Sequence, residues 1–259
     1  MNRGLVSRRF ALHLALPLLA GAASAAAAAE QVMVAAATNV QAPLEHIARL
    51  FEQETGHRLV FSFGATGKHY AQIRRRAPFD AFLAADSERP GRLEQEGIAV
   101  AGTRFTYAVG RLALWSPQPG VVDPQGEVLE HGRYRHLAIA NPRLAPYGVA
   151  AEAVLRARGL WEGVQGKLVQ GESIGQAYQF VGSGNAELGF VALAQIRRPG
   201  GFIVGSAWIV PADLHPPIEQ QAVLLRDTPP ARAFWRFLQS PPAREVFRQY
   251  GYDVPESSS

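Results

Sequence analysis

The chain has 259 residues and no cysteine, with 26 Lys and Arg against 22 Asp and Glu. The lack of cysteine excludes disulfides, Cys-ligated metal sites and a lipid anchor on an N-terminal cysteine. Three basic residues and no acidic residue lie before residue 30, so the remaining chain holds 23 basic against 22 acidic residues. Nucleic-acid binding needs a concentrated basic face, so we expect no nucleic-acid partner.

Residues 1–29 have the pattern of a cleavable signal peptide. Three arginines precede an apolar run at 10–20, and small residues fill 21–29. The apolar run is shorter than the about 20 residues that a membrane-spanning helix needs, which argues against an anchor. We therefore predict export to the periplasm, with cleavage between Ala25 and Glu30. The two adjacent arginines leave the Sec and twin-arginine routes both open.

Short apolar strands then alternate with amphipathic helices. In the first predicted helix, Leu44, Ile47 and Phe51 recur at the helical period, and Gly56 follows where a glycine commonly ends a helix. This alternation predicts an α/β fold with mainly parallel sheets covered by helices. In chain order we predict strands at 31–37, 58–63, 79–84, 111–115, 137–140, 167–170, 188–192 and 220–225, and helices at 40–55, 67–76, 88–96, 148–158, 174–183, 231–239 and 243–250.

Small polar residues stand at several junctions between a predicted strand and the helix after it. A helix N-terminus presents unpaired N–H groups and a positive dipole end, which together attract anions. In open α/β sheets, ligands bind outside the carboxyl ends of the strands, where these junctions lie. The same residues are also ordinary helix caps, so one junction alone decides nothing. The junctions are Ala37-Thr38-Asn39, Gly64-Ala65-Thr66-Gly67, Pro146-Tyr147-Gly148 and Glu172-Ser173-Ile174.

Six segments resemble those of periplasmic molybdate-binding proteins in order and spacing: VAAATN (34–39), FSFGATGK (61–68), APFDAFLAAD (77–86), ANPRLAPYG (140–148), GESIGQAY (171–178) and ELGFV (187–191). The resemblance covers essentially the whole chain after residue 30. It implies a type II periplasmic-binding-protein fold of two α/β lobes, each a mixed, mainly parallel sheet flanked by helices, with two crossovers at the hinge. Lobe I would hold 30–112 plus 221–259, and lobe II would hold 113–220.

The resemblance also implies the ligand and its partners. Molybdate or tungstate would lie in the cleft between the lobes, held by neutral donors at helix N-termini, with no cofactor and no direct protein ligand to the metal. The protein would act as a monomer, not as an enzyme, and would deliver the anion to the permease of an ABC transporter in the inner membrane. The ligand residues carried over are Thr38, Asn39, Thr66, Tyr147 and Ile174.

Three positions depart from a common pattern of that family. Many members have serine where Thr38 and Thr66 stand here, and a tyrosine ligand where Ala192 stands. Tyr147 resembles the subset in which the tyrosine comes from the earlier turn. If Tyr147 takes that role, the tyrosine hydroxyl would be relocated from position 192 to position 147; otherwise it would be lost. Threonine keeps the hydroxyl donor that serine offers.

Alternative functions are a carrier for sulfate, phosphate or another small ligand, and a secreted serine hydrolase. Gly171–Gly175 fits the G-x-S-x-G pattern, with Ser173 as the nucleophile. Asp213 and His215 stand only two residues apart, which suits a catalytic triad poorly, so we expect Ser173 to cap a helix. The histidines lack metal-site spacing and are expected at the surface or at caps: His46, His57, His69, His131, His136 and His215.

Overall fold

The computed structural model describes Met1 and residues 29–131, 133–202 and 205–256. The predicted signal peptide at 1–29 lies, apart from its two end residues, outside these ranges. The strands are β1 (Gln31–Ala37), β2 (Arg58–Gly64), β3 (Ala81–Leu83), β4 (Phe105–Gly110), β5 (Leu112–Ser116), β6 (Leu137–Ala140), β7 (Leu168–Gly171), β8 (Leu188–Ala192), β9 (Arg197–Arg198), β10 (Gly201–Phe202), β11 (Ser206–Ile209) and β12 (Ile218–Leu224).

The helices alternate with these strands over most of the chain. Short 3-10 turns occupy Thr38–Val40, Gln165–Lys167 and Ala212–Leu214. The α-helices are α1 (Gln41–Thr55), α2 (Thr66–Arg74), α3 (Glu88–Gln95), α4 (Val128–His131), α5 (Pro146–Ala157), α6 (Trp161–Val164), α7 (Ile174–Gly182), α8 (Leu193–Ile196), α9 (Pro229–Leu238) and α10 (Pro241–Gln249). Among the described residues, none of these helices is both long and apolar enough to cross a membrane.

Two five-stranded mixed sheets form the two lobes. The first sheet has the order β2-β1-β3-β12-β4 and the second has the order β11-β5-β8-β6-β7. In the first, β1 runs parallel to β2 and β3, and β12 runs antiparallel to β3 and β4. In the second, β6 runs parallel to β7 and β8, and β5 runs antiparallel to β8 and β11. The predicted two-lobed α/β fold is confirmed, and antiparallel pairs make up half of each sheet.

The chain crosses between the sheets twice. The first crossing is at Arg111, between β4 and β5, and the second joins β11 to β12. The strands at the crossings are the ones that pair antiparallel, which explains why the sheets are less parallel than a simple alternation of strand and helix predicts. The lobe limits of 30–112 plus 221–259 and 113–220 stay a prediction.

Each lobe has its own apolar core. In the first lobe, Leu44, Ile47 and Phe51 of α1 are fully buried, as their helical period predicts. The ring of Phe51 packs edge-on against those of Phe234 and Phe237 in α9, with centroids 5.7 and 5.5 Å apart. In the second lobe, apolar residues of β5, β6 and β8 pack against α5 and α7. The cores hold the strands rigid, so the turns at their carboxyl ends have fixed positions.

Candidate functional site

Four helix starts stand at the carboxyl ends of neighbouring parallel strands. In the first lobe, the 3-10 turn at Thr38–Val40 follows β1 and α2 follows β2 after one residue. In the second lobe, α5 lies beyond β6 and α7 lies beyond β7. Since β1 pairs with β2 and β6 pairs with β7, each lobe presents two adjacent helix starts at one sheet edge. The four predicted junctions thus form two pairs, one on each lobe.

A hydrogen bond across the lobes joins the first pair to the second. The backbone N–H of Gly175, in the first turn of α7, donates to Thr38 Oγ1 over 2.9 Å. A Cβ on Gly175 would lie 2.9 Å from the Cβ of Thr38, closer than two such carbons can approach. Residue 175 therefore has to be glycine for the lobes to meet in this way.

A second contact joins the start of α2 to the loop before α5. The backbone N–H of Gly67 donates to the carbonyl of Leu144 over 2.9 Å. Beside it, Lys68 Nζ lies 3.2 Å from Glu172 Oε2, and both side chains are more than half exposed. The four helix starts therefore face one another, and the structure has its lobes in contact.

Like the hydroxyl of Thr38, the hydroxyl of Thr66 accepts a backbone N–H. Thr66 is 1% exposed, and its Oγ1 accepts from the backbone N–H of Ala85 over 3.1 Å. A hydroxyl that accepts one hydrogen bond still has its own hydrogen to donate. Among the described residues, no acceptor takes the hydroxyl hydrogen of Thr38 or of Thr66. Both threonines therefore have a hydroxyl donor available beside the helix starts.

Tyr147 brings a third hydroxyl to the boundary. It is 1% exposed, and its oxygen accepts from Gln220 Nε2 over 3.1 Å. Burial raises the pKa of Tyr147 well above its ordinary value, and the neighbouring Tyr252 and Tyr107 raise it further. The phenol therefore stays protonated at physiological pH and is a neutral donor. Its hydroxyl also contacts that of Tyr252.

Several backbone N–H groups at these helix starts have no acceptor within the helix, as is general for a first turn. Thr66 is the first residue of α2, and Ile174 is the first residue of α7. Tyr147 is second in α5, after Pro146, which has no N–H to offer. The positive ends of three helix dipoles therefore coincide with these donors.

The side chain of Asn39 forms long-range hydrogen bonds instead of capping a helix. It is 2% exposed, and its Nδ2 donates to Gln220 Oε1 over 2.7 Å and to the Tyr252 hydroxyl over 3.0 Å. Sequence reasoning missed Gln220 and Tyr252 altogether. The one available signal was a pair of glutamines inside the apolar strand β12, since a buried amide requires hydrogen-bond partners.

Solvent-open grooves run along the boundary between the lobes. One has a volume of about 520 Å³ and is lined in part by Thr38, Lys68 and Glu172. Another has a volume of about 400 Å³ and is lined in part by Arg89 and Pro146. Each groove has walls from both lobes, so the margins of the boundary are open while the residues at its centre are buried.

The comparison with known proteins decides the family. Residues 32–253 match the model of a family described as bacterial extracellular solute-binding protein. The chain belongs to this family.

Two relatives of this solute-binding protein are named molybdate-binding protein ModA. The one from Azotobacter vinelandii is 53% identical over 249 residues, covering 95% of this chain and 97% of that protein. The one from Rhodobacter capsulatus is 47% identical over 255 residues, covering 97% and 96%. A solved structure titled periplasmic molybdate-binding protein, also from Azotobacter vinelandii, matches with a TM-score of 0.85 and 43% identity, covering 87% of this chain and all of that one. The resemblance seen in the sequence is confirmed.

The relatives also confirm that the chain is a solute-binding protein rather than an enzyme. Ser173, the nucleophile of the hydrolase alternative, is the N-cap of α7, and its Oγ accepts from the backbone N–H of Gln176 over 3.2 Å.

Ala192 ends β8 and is fully buried, and its N–H donates to Gln195 Oε1 over 2.9 Å. The amide of Gln195 also donates to the Ile174 carbonyl over 3.2 Å, which supports the start of α7.

One histidine departs from the sequence expectation. His69 is 3% exposed, not at the surface, because its ring packs against Phe79 and Phe82. Its Nδ1 lies 3.1 Å from Gln72 Oε1. Burial lowers the pKa of His69 below its ordinary value. Within the described ranges there is no cluster of three or more side chains suited to hold a metal ion.

Proposed function

We propose that this solute-binding protein captures molybdate or tungstate in the cleft between its lobes. One observation carries the proposal: the hydroxyls of Thr38, Thr66 and Tyr147 each accept an N–H hydrogen bond, so each can direct its hydrogen at a ligand. These donors come from both lobes, and none of the three side chains carries a charge, which suits a shared oxyanion between the lobes. The names of the relatives give the class of anion.

The physical chemistry favours a tetrahedral dianion without a proton. A doubly charged anion in a closed cleft loses much of its hydration and needs donors in nearly every direction. Hydrogen bonds from neutral groups to an ion are stronger than those between neutral partners, so preplaced amides and hydroxyls supply this without a counter-ion. Hydrogen phosphate would need an acceptor as well, and the proposed donors present none. Molybdate and tungstate share charge and shape, so both fit.

We assign the ligand contacts as follows. Thr38, Thr66 and Tyr147 donate from their hydroxyls. The backbone N–H groups of Asn39, Thr66, Tyr147 and Ile174 add donors at helix starts, where the dipole favours negative charge. Selectivity over the smaller sulfate comes from the size of the closed cleft.

The family supports a role in transport. We propose that the protein works in the periplasm, without a further cofactor, as a monomer that hands its anion to the permease of an ABC transporter in the inner membrane. The signal-peptide pattern of residues 1–29 and the periplasmic relative support this location.

Calorimetric titration of the purified protein with molybdate and tungstate, and in parallel with sulfate and phosphate, tests the proposal. We expect one molybdate per chain, and we expect excess sulfate not to displace it. Binding of sulfate or phosphate in place of molybdate would leave the cleft as the proposed binding site and would show that its ligand is a different oxyanion. If no oxyanion binds, the proposed function is wrong.

A further inference from the structure

Gln220 lies on β12, the strand by which the chain returns to the first lobe, and its side chain is fully buried. The pairing of β12 with β4 is irregular here: Gln220 lies opposite Ala108, but Gln221 lies opposite Thr106. Tyr107 is therefore an extra residue on β4, and such a bulge redirects side chains. The Tyr107 hydroxyl lies 2.9 Å from Gln220 Oε1. Gln220 thus has buried partners at the crossing between the lobes.

The hydrogen bonds of the first lobe fix the orientation of the Gln220 amide. The Tyr252 hydroxyl donates its one hydrogen to the Asn39 carbonyl over 2.9 Å, so its oxygen accepts from Asn39 Nδ2 over 3.0 Å. The same Nδ2 donates to Gln220 Oε1 over 2.7 Å. The oxygen of the Gln220 amide therefore faces the first lobe.

The other end of that amide faces the second lobe. Gln220 Nε2 donates to the Tyr147 oxygen over 3.1 Å, and an amide nitrogen has no capacity to accept. The hydroxyl hydrogen of Tyr147 is thereby directed away from Gln220, and the acceptors open to it are the Tyr252 oxygen and a ligand in the cleft. Gly110 leaves the space for this contact, because a Cβ there would collide with both the Tyr147 hydroxyl and the Gln220 amide.

We infer that Gln220 is a positioning residue that keeps the Tyr147 hydroxyl a donor toward the cleft and so favours anions that carry no proton. This inference rests on the proposed function, since it requires Tyr147 to contact the bound anion. When Gln220 is present, the Tyr147 oxygen is occupied by an N–H hydrogen bond. Without it, the same oxygen is free to accept a hydrogen from hydrogen phosphate, and its own hydrogen has no fixed direction.

A double-mutant cycle on the purified protein tests whether Gln220 acts through Tyr147. We expect Gln220→Met to weaken molybdate binding about tenfold by calorimetry, the scale of one hydrogen bond to a charged group. In a Tyr147→Phe background the same change should alter the affinity less than about twofold, because the hydroxyl it orients is gone. An equal loss in both backgrounds, or no loss in the wild-type background, would overturn the inference.

Gln221→Met is the matched control on the same strand. The Gln221 amide bonds Arg104 Nη1 over 2.9 Å and Thr106 Oγ1 over 3.1 Å, both within the first lobe. We expect its molybdate affinity to equal that of the wild type. Urea unfolding of each variant monitors the fold independently of binding.

Gln220→Glu provides a second readout that keeps the size of the side chain. The introduced carboxylate accepts from Tyr147 and frees its oxygen, while the added charge repels molybdate and hydrogen phosphate, both dianions, alike. We expect the ratio of the molybdate affinity to the phosphate affinity to fall at least about tenfold. An unchanged ratio would contradict the inference. A wild-type protein that binds no oxyanion would instead refute the proposed function.

Discussion

At the residue scale, the proposed ligand contacts depend on which hydroxyl hydrogens are not already donated within the protein. Thr66 Oγ1 accepts the N–H of Ala85, and Thr38 Oγ1 accepts the N–H of Gly175. Each hydroxyl is thereby held in place and committed to donate its own hydrogen. Threonine is suited to this because its β-branched side chain has few rotamers to lose when the anion binds.

Replacing Thr66 by valine keeps the shape of the side chain and removes the donor. We expect molybdate binding to weaken about 10- to 100-fold, because a hydrogen bond to a charged group contributes about 1.5–3 kcal/mol. Thr103→Val is the control: Thr103 is fully buried and bonded to Val100 and Leu224, remote from the proposed ligand residues. It should lower the free energy of unfolding but not the affinity. Equal affinity losses in the two variants would remove Thr66 from the site.

His69 is a second residue whose behaviour follows from its environment. Burial lowers its pKa in the folded protein, whereas in the unfolded chain it titrates near its ordinary value of 6.5. Between these two pKa values the unfolded chain binds more protons, so this contribution to stability is present above about pH 6.5 and is lost as the pH falls through the folded pKa. Between pH 7 and pH 5, the urea concentration at the midpoint of unfolding should therefore fall less in His69→Gln than in the wild type.

The sequence predicted the positions of the proposed ligand residues in the fold better than it predicted the residues that hydrogen-bond to them. Thr38, Thr66 and Tyr147 stand at helix starts that local pattern predicts. Long-range hydrogen-bond partners are not predictable from local pattern. For example, Asn39 bonds Gln220, 181 residues away in the chain, and Tyr252, 213 residues away. A polar side chain inside an apolar strand shows that a partner must exist, but only the fold brings that partner near.

At the scale of elements, strongly patterned segments were predictable and short edge segments were not. The predicted limits of β1, β6 and β8 match the structure residue for residue, since these strands are almost wholly apolar and buried. Strands β4, β9, β10 and β11 were missed. Each lies at the edge of a sheet and pairs with one neighbour, so tertiary pairing rather than local pattern decides them.

Helix α7 makes the contact between the lobes possible, and its glycines test this. Gly175→Ala would force its Cβ against Thr38, so we expect molybdate binding to weaken at least about tenfold as the closed form is strained. Gly182 ends the same helix with no atom within 4 Å of an added Cβ. Gly182→Ala should leave the affinity unchanged and raise stability by about 0.5–1 kcal/mol. An unchanged affinity in Gly175→Ala would show that the bound form does not keep this contact.

At the scale of the whole molecule, direct hydrogen bonds join the lobes within the described part of the chain. Two involve backbone N–H groups, at Gly175 and Gly67, and a buried one joins Gln220 Nε2 to the Tyr147 hydroxyl. The ion pair between Lys68 and Glu172 is exposed on both sides, and exposed pairs contribute about 0–1 kcal/mol. These contacts are modest singly, so we expect the proposed anion, contacted by both lobes, to supply much of the free energy of closure.

The ion pair between the lobes should therefore affect release of the anion only slightly. In a double-mutant cycle of Lys68→Met and Glu172→Gln, we expect the coupling to slow molybdate dissociation by up to about fivefold in low salt, and to vanish near 1 M salt, where screening acts within about 3 Å. The cycle cancels the separate attraction or repulsion of each charge for the anion. Arg156 and Glu152 pair within one helix of the second lobe and serve as the control, with no coupling expected. Stopped-flow displacement measures the rates, and a salt-independent or much larger coupling would mean that the pair, rather than the anion, holds the lobes closed.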